Sequence, residues 1–545
     1  VVCDGEIYNF RELRRELAAA GVSFRTASDT EVLLHLVARD GLAGLSRLRG
    51  MYAFALWDDA EKSLLLARDP FGIKPLYYAA GRGTFRFASQ VRALTAGGAV
   101  GEQLDPAALA AFLLWGSVPE PWTIRRAVRA LPAGHAVRVA AGRVGEPERL
   151  PVAPLAAPLA PAAALAESVA AHLVADVPVA LFLSSGIDSG LVAALARRAL
   201  AEPPVAFTVT FEGWEGQARD EAPLACAVAR SLGLRHVERR LGREEVAAHW
   251  AEALAAMDQP SIDGFNTFLV ARLAREEGIK VALSGLGGDE LLGSYPSFTD
   301  VPRWARRASR LARLPGLATA WPALAKHLRP GQPKLAGLLA HGTTVPGAYF
   351  LRRGLFLPEE LPALLGAAAA REALAEIAPV AFAASRLAAP RPDGGRAADD
   401  WTAVQALETA LYLRHQLLRD SDWAAMASGV ELRVPFVDVP LWQALAAHGF
   451  EPARRRGKAT LARAAAPELP AALFSRPKTG SQVPNPLLAA PRSAGASSRH
   501  LAREVDVLAL EVGEGFLGGA VGILAHDSPL GSLAHRHGAV VVDAP

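Results

Sequence analysis

The sequence predicts an α+β domain followed by an α/β domain that has a parallel sheet and a helical extension. The first observation is length, because 545 residues correspond to about two to four domains at roughly 150 residues each. The second is a change in the pattern of apolar residues. Short apolar runs separated by Asp, Gly and Pro turns fill residues 1–143, whereas longer apolar runs alternate with helical stretches after residue 163. The third is the segment 146–162, which is rich in Ala, Pro and Gly and suits a linker.

The composition argues against several classes of protein. Lys and Arg total 58 against 55 Asp and Glu, so the net charge of +3 gives no reason to expect a nucleic-acid partner. Two cysteines, Cys3 and Cys226, are too few for a disulfide framework, which favours a reducing, cytoplasmic location. The most apolar tract, 151–183, is interrupted by prolines and charged residues and does not predict a membrane span. We therefore expect a soluble protein.

In the first domain, apolar spacing distinguishes the helices from the strands. Helical periodicity covers 10–20 and 29–38, and Ser28 is placed to cap the second helix. The apolar and aromatic runs at 51–57 and 64–67 are typical of strands joined by a hairpin. Together these elements predict a domain of mixed α and β structure.

In the second domain, continuous apolar runs predict buried parallel strands, and the stretches between them predict crossover helices. The apolar runs cover 177–183, 205–211 and 279–283. The helical stretches cover 191–201, 221–233 and 266–277. From residue 304 onward the sequence is rich in Ala, Leu and Arg at helical spacing, which predicts a mostly helical extension.

The first predicted strand of the second domain runs directly into Ser184-Ser-Gly-Ile-Asp-Ser189, and this pattern predicts a phosphate site. Backbone N–H groups at the start of a helix and serine hydroxyls can together hold a polyphosphate, and Gly186 allows the backbone to approach it closely. Asp188 would repel the phosphates unless a Mg²⁺ ion bridged them. The alternative is an ordinary strand-helix turn in which the serines only cap the helix.

A second loop, Ser284-Gly-Leu-Gly-Gly-Asp-Glu290, follows another predicted strand. It does not match the dinucleotide pattern G-x-G-x-x-G, because Glu290 stands where the third glycine is needed, and the chain has no Walker-type phosphate loop. Asp289 would offer a second carboxylate to Mg²⁺ if both loops lay at the carboxyl ends of facing strands. Alone, such a loop is more often a plain turn, but paired with the Ser184 loop it favours a site.

These two loops and a third segment resemble the motifs of the asparagine synthase family of ATP-dependent amidotransferases. The family's usual Ser-Gly-Gly-x-Asp-Ser appears at 184–189 with Ser185 in place of the first Gly. Its Ser-Gly-x-Gly-x-Asp-Glu appears at 284–290, and its Glu-x-Arg-x-Pro-x-x-Asp at 431–438. The first domain is similar to the family's glutaminase domain at Asp4-Gly-Glu-Ile-Tyr-Asn9 and at 28–32 and 67–77. The resemblance extends to about residue 490.

The resemblance implies a fold, a domain division and two substrate sites. The fold would be a partial Ntn-hydrolase-type sandwich over 1–145, a linker over 146–162, an adenine-nucleotide α hydrolase-like domain over 163–490 and an unassigned tail over 491–545. Asp188 and Asp289 would hold Mg²⁺, and Lys478 would be the catalytic lysine. The ATP-binding residues would be Leu183, Ser184, Ser185, Gly186, Asp188, Ser189, Val209, Ser284 and Gly285. The glutamine-binding residues would be Asp4, Gly5, Glu6 and Asp29.

Members of this family adenylate a carboxylate with ATP, which releases pyrophosphate, and then let ammonia or an amine displace AMP. The resemblance therefore implies synthesis of asparagine from aspartate, with glutamine or ammonia as the nitrogen donor. The partners would be small molecules rather than nucleic acid or a membrane. A homodimer would be compatible with the resemblance.

Leu286 leaves the identity of the carboxylate substrate open. Many family members carry an acid at this position and relatives that close β-lactam rings carry a Tyr, whereas leucine can neither exchange a proton nor donate a hydrogen bond. One alternative is therefore an enzyme that forms a β-lactam or another natural-product or glycan amide. A second is a nucleotide-binding pseudoenzyme, against which the presence of Asp188, Asp289 and Lys478 argues.

Two features weaken the expectation of glutaminase activity. Asp4 stands where the family usually has an Asn that helps to form an oxyanion hole, and losing one such donor costs roughly 10²–10³ in rate. The family's nucleophile is an N-terminal Cys several dozen residues before this motif, and the given sequence starts at Val1, shortly before the motif. We expect this chain to accept ammonia, and to bind glutamine better than it hydrolyses it.

Overall fold

The computed structural model describes residues 1–81, 83–155, 157, 159–328, 333–448, 457–476 and 540–543. Within these residues the chain forms two antiparallel sheets with flanking helices, then a parallel sheet with crossover helices, and then a helical lobe. The predicted fold class, an α+β domain followed by an α/β domain with a helical extension, is confirmed.

The antiparallel part begins at the first residues of the chain. Its strands are β1 (Val2–Ile7), β2 (Gly50–Asp58), β3 (Ser63–Arg68), β4 (Tyr77–Gly81), β5 (Thr84–Ala88), β6 (Arg129–Ala130), β7 (His135–Ala140), β8 (Arg143–Val144) and β9 (Glu148–Arg149). Its helices are α1 (Phe10–Ala19), α2 (Asp29–Gly44), α3 (Val91–Thr95) and α4 (Pro106–Trp115), with a 3₁₀ turn at Leu45–Arg47. Ser28 caps α2 as predicted, because its hydroxyl accepts a hydrogen bond from the N–H of Thr30.

The two antiparallel sheets pack face to face. The larger has the strand order β1-β2-β3-β7-β8 with β9 beside β7, and the smaller pairs β6, β4, β5 and a strand at Val540–Asp543. Side chains alternate along β2, so Ala53 and Ala55 share an apolar cluster with Phe85 of the smaller sheet. On the other side of β2, Tyr52 and Phe54 pack with residues of α1 and α2. This layering is the predicted sandwich.

The second part is built on a parallel sheet. Its strands are β10 (Val179–Phe182), β11 (Val205–Phe211), β12 (Arg235–Leu241), β13 (Val281–Leu283) and β14 (Glu431–Arg433). Its helices are α5 (Pro161–His172), α6 (Ile187–Ala199), α7 (Ala222–Ser231), α8 (Arg243–Ala256), α9 (Phe265–Glu276) and α10 (Gly288–Leu292). The strand order is β12-β11-β10-β13-β14, and every neighbouring pair is parallel. The order reverses between β10 and β13, and α/β proteins bind ligands at the carboxyl ends of strands at such a point.

The helical lobe comprises the helices from residue 297 onward, which lie before and after β14 in the sequence. Its α-helices are α11 (Ser297–Leu311), α12 (Leu317–Leu328), α13 (Pro333–Ala336), α14 (Leu338–His341), α15 (Val345–Arg353), α16 (Leu361–Leu365), α17 (Ala367–Glu376), α18 (Pro379–Ala388), α19 (Asp400–Leu407), α20 (Arg419–Met426), α21 (Val439–Ala447), α22 (Gly457–Ala465) and α23 (Ala471–Ser475). A 3₁₀ turn lies at Pro358–Glu360, and a π-helical stretch at Glu408–Leu418 joins α19 to α20. None of the helices in the described part of the chain has the length and apolar character that crossing a bilayer requires.

Two strands of the parallel sheet, β12 and β14, were not predicted from the sequence, and the physical reasons differ. β12 carries Arg or Glu at several of its seven positions, and as an edge strand it has no need of a continuous apolar run. β14 has only three residues and lies at the opposite edge, so it offers no periodic pattern to read. The predicted strand at 205–211 coincides with β11, because that strand is central and mostly buried.

Candidate active site

Two loops meet at the crevice between β10 and β13. The first continues from β10 into α6, and its serine hydroxyls hold its shape. Ser189 Oγ accepts a hydrogen bond from the N–H of Ser184 at 3.1 Å, and Ser184 Oγ accepts one from the N–H of Gly186 at 3.1 Å. These serines therefore organise the turn without capping α6, which has no side-chain cap hydrogen bond, and residues 184–189 line a large cavity.

The second loop lies directly against the first. A Cβ atom on Gly285 would lie 2.6 Å from the backbone N of Ser189, and one on Gly288 would lie 2.5 Å from Cγ of Asp188. A larger residue at position 285 would therefore force the two backbones apart, and one at position 288 would displace the carboxylate of Asp188. The glycines of the second motif are explained by this close approach rather than by a dinucleotide fold.

The contact between the loops brings Asp188 and Asp289 to one point, where Lys458 of α22 also lies. Its Nζ is 2.5 Å from Oδ2 of Asp188 and 2.7 Å from Oδ1 of Asp289. Burial lowers the pKa of Lys458, but the two carboxylates raise it by more, so the net pKa lies above its usual value and the amine is protonated. Sequence reasoning missed Lys458, because a single lysine in an Ala-rich helix has no distinguishing pattern.

The two carboxylates have the chemistry that Mg²⁺ requires. Oxygen ligands suit this ion, which usually takes one or two protein carboxylates and completes its shell with water and phosphate oxygens. The ammonium of Lys458 lies within hydrogen-bond distance of both carboxylates, which indicates that one cation can contact both. Within the described ranges no group of three or more His, Cys, Asp or Glu side chains forms a self-sufficient metal site. Asp188 and Asp289 thus fit an ion that arrives with a polyphosphate.

The loops open into a cavity of about 970 Å³. That size falls within the range of small-molecule sites. The structure brings together every predicted ATP-binding residue along this cavity: Leu183, Ser184, Ser185, Gly186, Asp188, Ser189, Val209, Ser284 and Gly285. Asp289 lines it as well.

The same cavity is also lined by Leu286, Glu290, Tyr295, Tyr412 and Asp420. The hydroxyl of Tyr295 donates a hydrogen bond of 2.6 Å to Glu290. Burial, with a smaller contribution from Asp289, raises the pKa of Glu290 to about 7. Leu286 also packs against the apolar core of the parallel domain. The cavity therefore holds acidic and phenolic groups, although the Leu286 position itself is apolar.

The residues predicted to bind glutamine lie in the first domain on β1 and at the start of α2. Gly5 has φ +143°, and a Cβ there would lie 2.0 Å from the carbonyl oxygen of Met51, so only glycine fits. Oδ2 of Asp29 accepts a hydrogen bond of 3.0 Å from the N–H of Ile7. Glu6 contacts the second domain, because Nη2 of Arg433 lies 3.0 Å from its Oε2. Burial raises the pKa of Glu6 to about 7, although Arg433 acts in the opposite direction.

Asp4 has a cationic neighbour that the sequence did not predict. Nζ of Lys74 lies 3.2 Å from Oδ1 of Asp4 and 3.1 Å from Oδ1 of Asp422, which belongs to α20. Burial lowers the pKa of Lys74, but Asp422 and Asp4 raise it by more, so the lysine is protonated. The carboxylate at position 4 therefore shares one cation with Asp422, and Lys74 connects the first domain to the helical lobe.

The first domain also contains Cys3, one of the two cysteines. Burial, together with the nearby carboxylates of Asp29 and Asp4, raises the pKa of its thiol to about 12. A thiol with that pKa is a poor nucleophile at neutral pH. The structure thus agrees with a packing role for Cys3, which lies against the cluster formed by α1, α2 and the larger sheet.

Some predicted features lie outside the described residues. Lys478, predicted as the catalytic lysine, is one of them. The tail predicted at 491–545 is described only at Val540–Asp543, where its backbone pairs with β5.

Comparison with known protein families shows the family to which the chain belongs. Residues 161–507 match the family model described as asparagine synthase, and residues 1–148 match the model described as a glutamine amidotransferase domain. The chain belongs to the asparagine synthase family. Members of this family are carbon–nitrogen ligases, and the two matched models account for the two-domain order of this member.

Several relatives support the family assignment. A Mycobacterium tuberculosis protein with the provisional name asparagine synthetase (glutamine-hydrolyzing) is 35% identical over 509 residues, which cover 89% of this chain and 74% of that protein. Asparagine synthetase (glutamine-hydrolyzing) 1 of Bacillus subtilis is 30% identical over 502 residues, which cover 89% of this chain and 76% of the relative. Amidase chyE of Penicillium rubens is 30% identical over 342 residues, which cover 54% of this chain and 47% of the amidase.

Solved structures give weaker matches. One is titled an allosteric regulatory enzyme of purine biosynthesis, with 19% identity, a TM-score of 0.21 and coverage of 52% of this chain and 53% of the other. Another is a glutamine phosphoribosylpyrophosphate amidotransferase from B. subtilis, with 17% identity, a TM-score of 0.20 and coverage of 53% and 56%. These TM-scores are too low to support any conclusion about the fold of this asparagine synthase family member.

Proposed function

We propose that this member of the asparagine synthase family uses ATP to adenylate a carboxylate and then forms an amide, with aspartate as the acceptor and asparagine as the product. The observation that carries the proposal is the convergence of Asp188 and Asp289 at the point where the strand order reverses. A carboxylate oxygen of the acceptor would attack the α-phosphorus of ATP, and pyrophosphate would leave. Ammonia would then attack the acyl carbon, and AMP would leave with that oxygen.

The proposed roles of the loop residues follow from their positions along the cavity. Ser184, Ser185, Gly186 and Ser189 would hold the pyrophosphate, and Leu183, Val209, Ser284 and Gly285 would border the adenosine. Mg²⁺, held by Asp188 and Asp289, would supply charge neutralisation of the phosphates. The protein's own task is chiefly positioning and charge stabilisation, because adenylation already provides a good leaving group. The catalytic role proposed for Lys478 is supported only by the sequence motif in which it lies.

The nitrogen would come from glutamine or from free ammonia. For glutamine, Glu6 and Asp29 would bind the α-ammonium, and Gly5 would offer its backbone N–H near Asp4. Glu6 already has a cationic partner in Arg433, so it is held in place before any ligand arrives. Glutamine bound there would add a second positive charge beside Glu6.

The test is pyrophosphate release from Mg²⁺-ATP with ammonium chloride and aspartate. We expect pyrophosphate and asparagine in equal amounts. The variant Asp188→Asn should lower the rate by at least about 10²-fold, because it removes a charge that holds the metal-nucleotide complex. Asp59→Asn is the matched control, since Asp59 is exposed on the first domain and should leave the rate unchanged. Equal rates for wild type and Asp188→Asn would contradict the site assignment.

A second candidate function is amide formation on a different carboxylate. Leu286 favours it, because the cavity is apolar at the position where many family members carry an acid. A panel of amino acids and larger carboxylic acids in the pyrophosphate assay separates the two candidates. Turnover with another acid and none with aspartate would exclude asparagine synthesis, whereas turnover with aspartate alone would exclude the alternative.

A further inference from the structure

Lys458 lies where a metal ion would lie if Asp188 and Asp289 held one. The two carboxylates come from loops that follow different strands, and the lysine comes from a third element, α22. Its Nζ contacts both carboxylates at 2.5 and 2.7 Å, and its side chain is only 16% exposed. A Mg²⁺ ion binds carboxylate oxygens at about 2.0–2.1 Å, so it would occupy nearly the same position as this ammonium.

The two loops that carry the carboxylates lie in close contact. Gly285 and Gly288 bring the loops into such close contact that a Cβ on either would overlap Ser189 or Asp188. Two like charges held together at a partly buried position need a neutralising cation. Lys458 brings one positive charge to this point, whereas a divalent ion would bring two.

We infer that Lys458 is an internal counter-ion of the metal position: it neutralises Asp188 and Asp289 before nucleotide binds, and it moves to the phosphates when a divalent ion takes its place. This inference rests on the proposed assignment of Asp188 and Asp289 as metal ligands. The lysine side chain is a flexible four-carbon chain with a compact charge, so it can change partners without a change in the fold. An ammonium is also a common partner of phosphate oxygens.

The inference has a thermodynamic consequence. A metal ion that arrives alone must displace Lys458 and leave its charge without a new partner, so its affinity is low. A metal ion that arrives with ATP brings phosphates that accept the displaced ammonium. Metal and nucleotide therefore bind with positive coupling, and the coupling depends on Lys458.

The experiment is Mn²⁺ binding to the full chain without nucleotide, measured from the paramagnetic resonance signal of free Mn²⁺. Lys458→Met should bind Mn²⁺ about tenfold tighter than wild type, which corresponds to about 1.4 kcal/mol. The double variant Lys458→Met with Asp188→Asn should lose this gain, which shows that the ion occupies this site. Lys326→Met, which changes an exposed lysine on α12, is the matched control and should behave as wild type. Equal Mn²⁺ affinity in wild type and Lys458→Met would overturn the inference.

A second measurement uses the unmodified protein and does not depend on the folding of a variant. Acetylation of lysines by a water-soluble reagent is followed by mass spectrometry at Lys458. Mn²⁺ alone should increase the labelling of Lys458 several-fold, because the ammonium leaves its buried position, and Mn²⁺ with a non-hydrolysable ATP analogue should reduce it again. Labelling that does not respond to Mn²⁺ at saturating concentration would overturn the inference.

These measurements separate the inference from the proposed function. If Lys458→Met gains Mn²⁺ affinity while no carboxylate supports pyrophosphate release, the counter-ion role stands and the proposed reaction is wrong. If pyrophosphate is released but neither Mn²⁺ measurement responds as expected, the proposed reaction stands and the counter-ion role is wrong.

Discussion

At the scale of single residues, Asp420 is a buried carboxyl in the cavity wall, and its ionisation lowers the stability of the fold. It is 2% exposed at the start of α20, where it accepts hydrogen bonds from the hydroxyl of Ser261 and from Nε1 of Trp423. Burial raises the pKa of Asp420 to about 7, with Asp263 adding to the rise and Arg419 opposing it. An ionised carboxyl here lowers stability, which is tolerable in a cavity wall that serves binding rather than packing.

The pKa of Asp420 gives a prediction for the variant Asp420→Asn. The unfolded chain has an aspartate pKa of about 3.9, so the contribution of Asp420 to wild-type stability falls as the pH rises from about 4 to about 7. Asparagine does not titrate and keeps similar hydrogen bonds. The variant should therefore gain stability relative to wild type across that interval, by more than about 1 kcal/mol at pH 8. Thermal unfolding midpoints of both proteins between pH 5 and pH 8 measure this, and parallel pH profiles would contradict it.

Sequence reasoning succeeded at residues that belong to motifs and failed at residues that meet only in three dimensions. Asp188 and Asp289 could be predicted because each follows an apolar strand in a recognisable loop. Lys458 could not, because its partners lie 270 and 169 residues away in the chain. Lys74 is part of a recognisable motif, but its contact with Asp422 spans 348 residues and depends on the packing of two domains.

At the scale of elements, the site depends on the backbone contact between two loops. The loop after β13 approaches the first turn of α6 so closely that Gly285 has no room for a side chain. Main-chain atoms of Asp188 and Ser189 form the opposing surface, and they cannot rotate away as a flexible side chain could. The spacing of the two carboxylates is therefore fixed by glycine at position 285.

The variant Gly285→Ala tests this dependence. We expect its affinity for a non-hydrolysable Mg²⁺-ATP analogue to fall by at least about tenfold, because the added methyl group would lie 2.6 Å from the backbone N of Ser189 and push the loops apart. Isothermal titration calorimetry measures the affinity, and circular dichroism checks the fold. Gly97→Ala is the matched control, since a Cβ at Gly97 meets no atom within 4 Å. An unchanged affinity in Gly285→Ala would show that the loop contact is not needed.

The predicted bounds of helices and strands were most accurate for elements that are long and have a buried face. The helix predicted at 10–20 is α1, which has a complete helical period, and the strand predicted at 205–211 is β11, which is a continuous, mostly buried run. The helix predicted at 29–38 continues to Gly44 as α2, past Gly41, where the helical backbone is interrupted. Gly41, with φ 60° and ψ −147°, breaks the helical backbone close to the predicted end, so the residues after it form a separate short helical segment.

At the scale of the whole molecule, the two domains are joined through charged residues near both proposed substrate sites. Arg433 of β14 contacts Glu6 of β1, and its backbone carbonyl accepts a hydrogen bond of 2.9 Å from the N–H of Ser284. Lys74 lies between Asp4 of the first domain and Asp422 of α20. Glu6, proposed to bind glutamine, and Ser284, in a loop proposed to bind ATP, are thus connected through Arg433.

The variant Lys74→Met tests the contribution of this junction. Removal of a buried cation leaves Asp422 without its partner in the domain interface, and we expect a loss of about 3 kcal/mol in stability. The thermal unfolding midpoint should fall by several degrees, and adding Asp422→Asn should restore part of the loss because it removes the uncompensated charge. Lys62→Met, on an exposed lysine of the same domain, should have little effect. A loss of equal size in Lys62→Met would exclude a specific role of the junction.

The proposed reaction is most directly tested by the fate of one oxygen atom. With aspartate labelled by ¹⁸O in its side-chain carboxylate, ammonium chloride and Mg²⁺-ATP, adenylation transfers one carboxylate oxygen to the α-phosphorus, so mass spectrometry should find one ¹⁸O in the AMP produced. Unlabelled AMP, or ADP and phosphate in place of AMP and pyrophosphate, would contradict acyl-adenylate formation at the Asp188 and Asp289 loops.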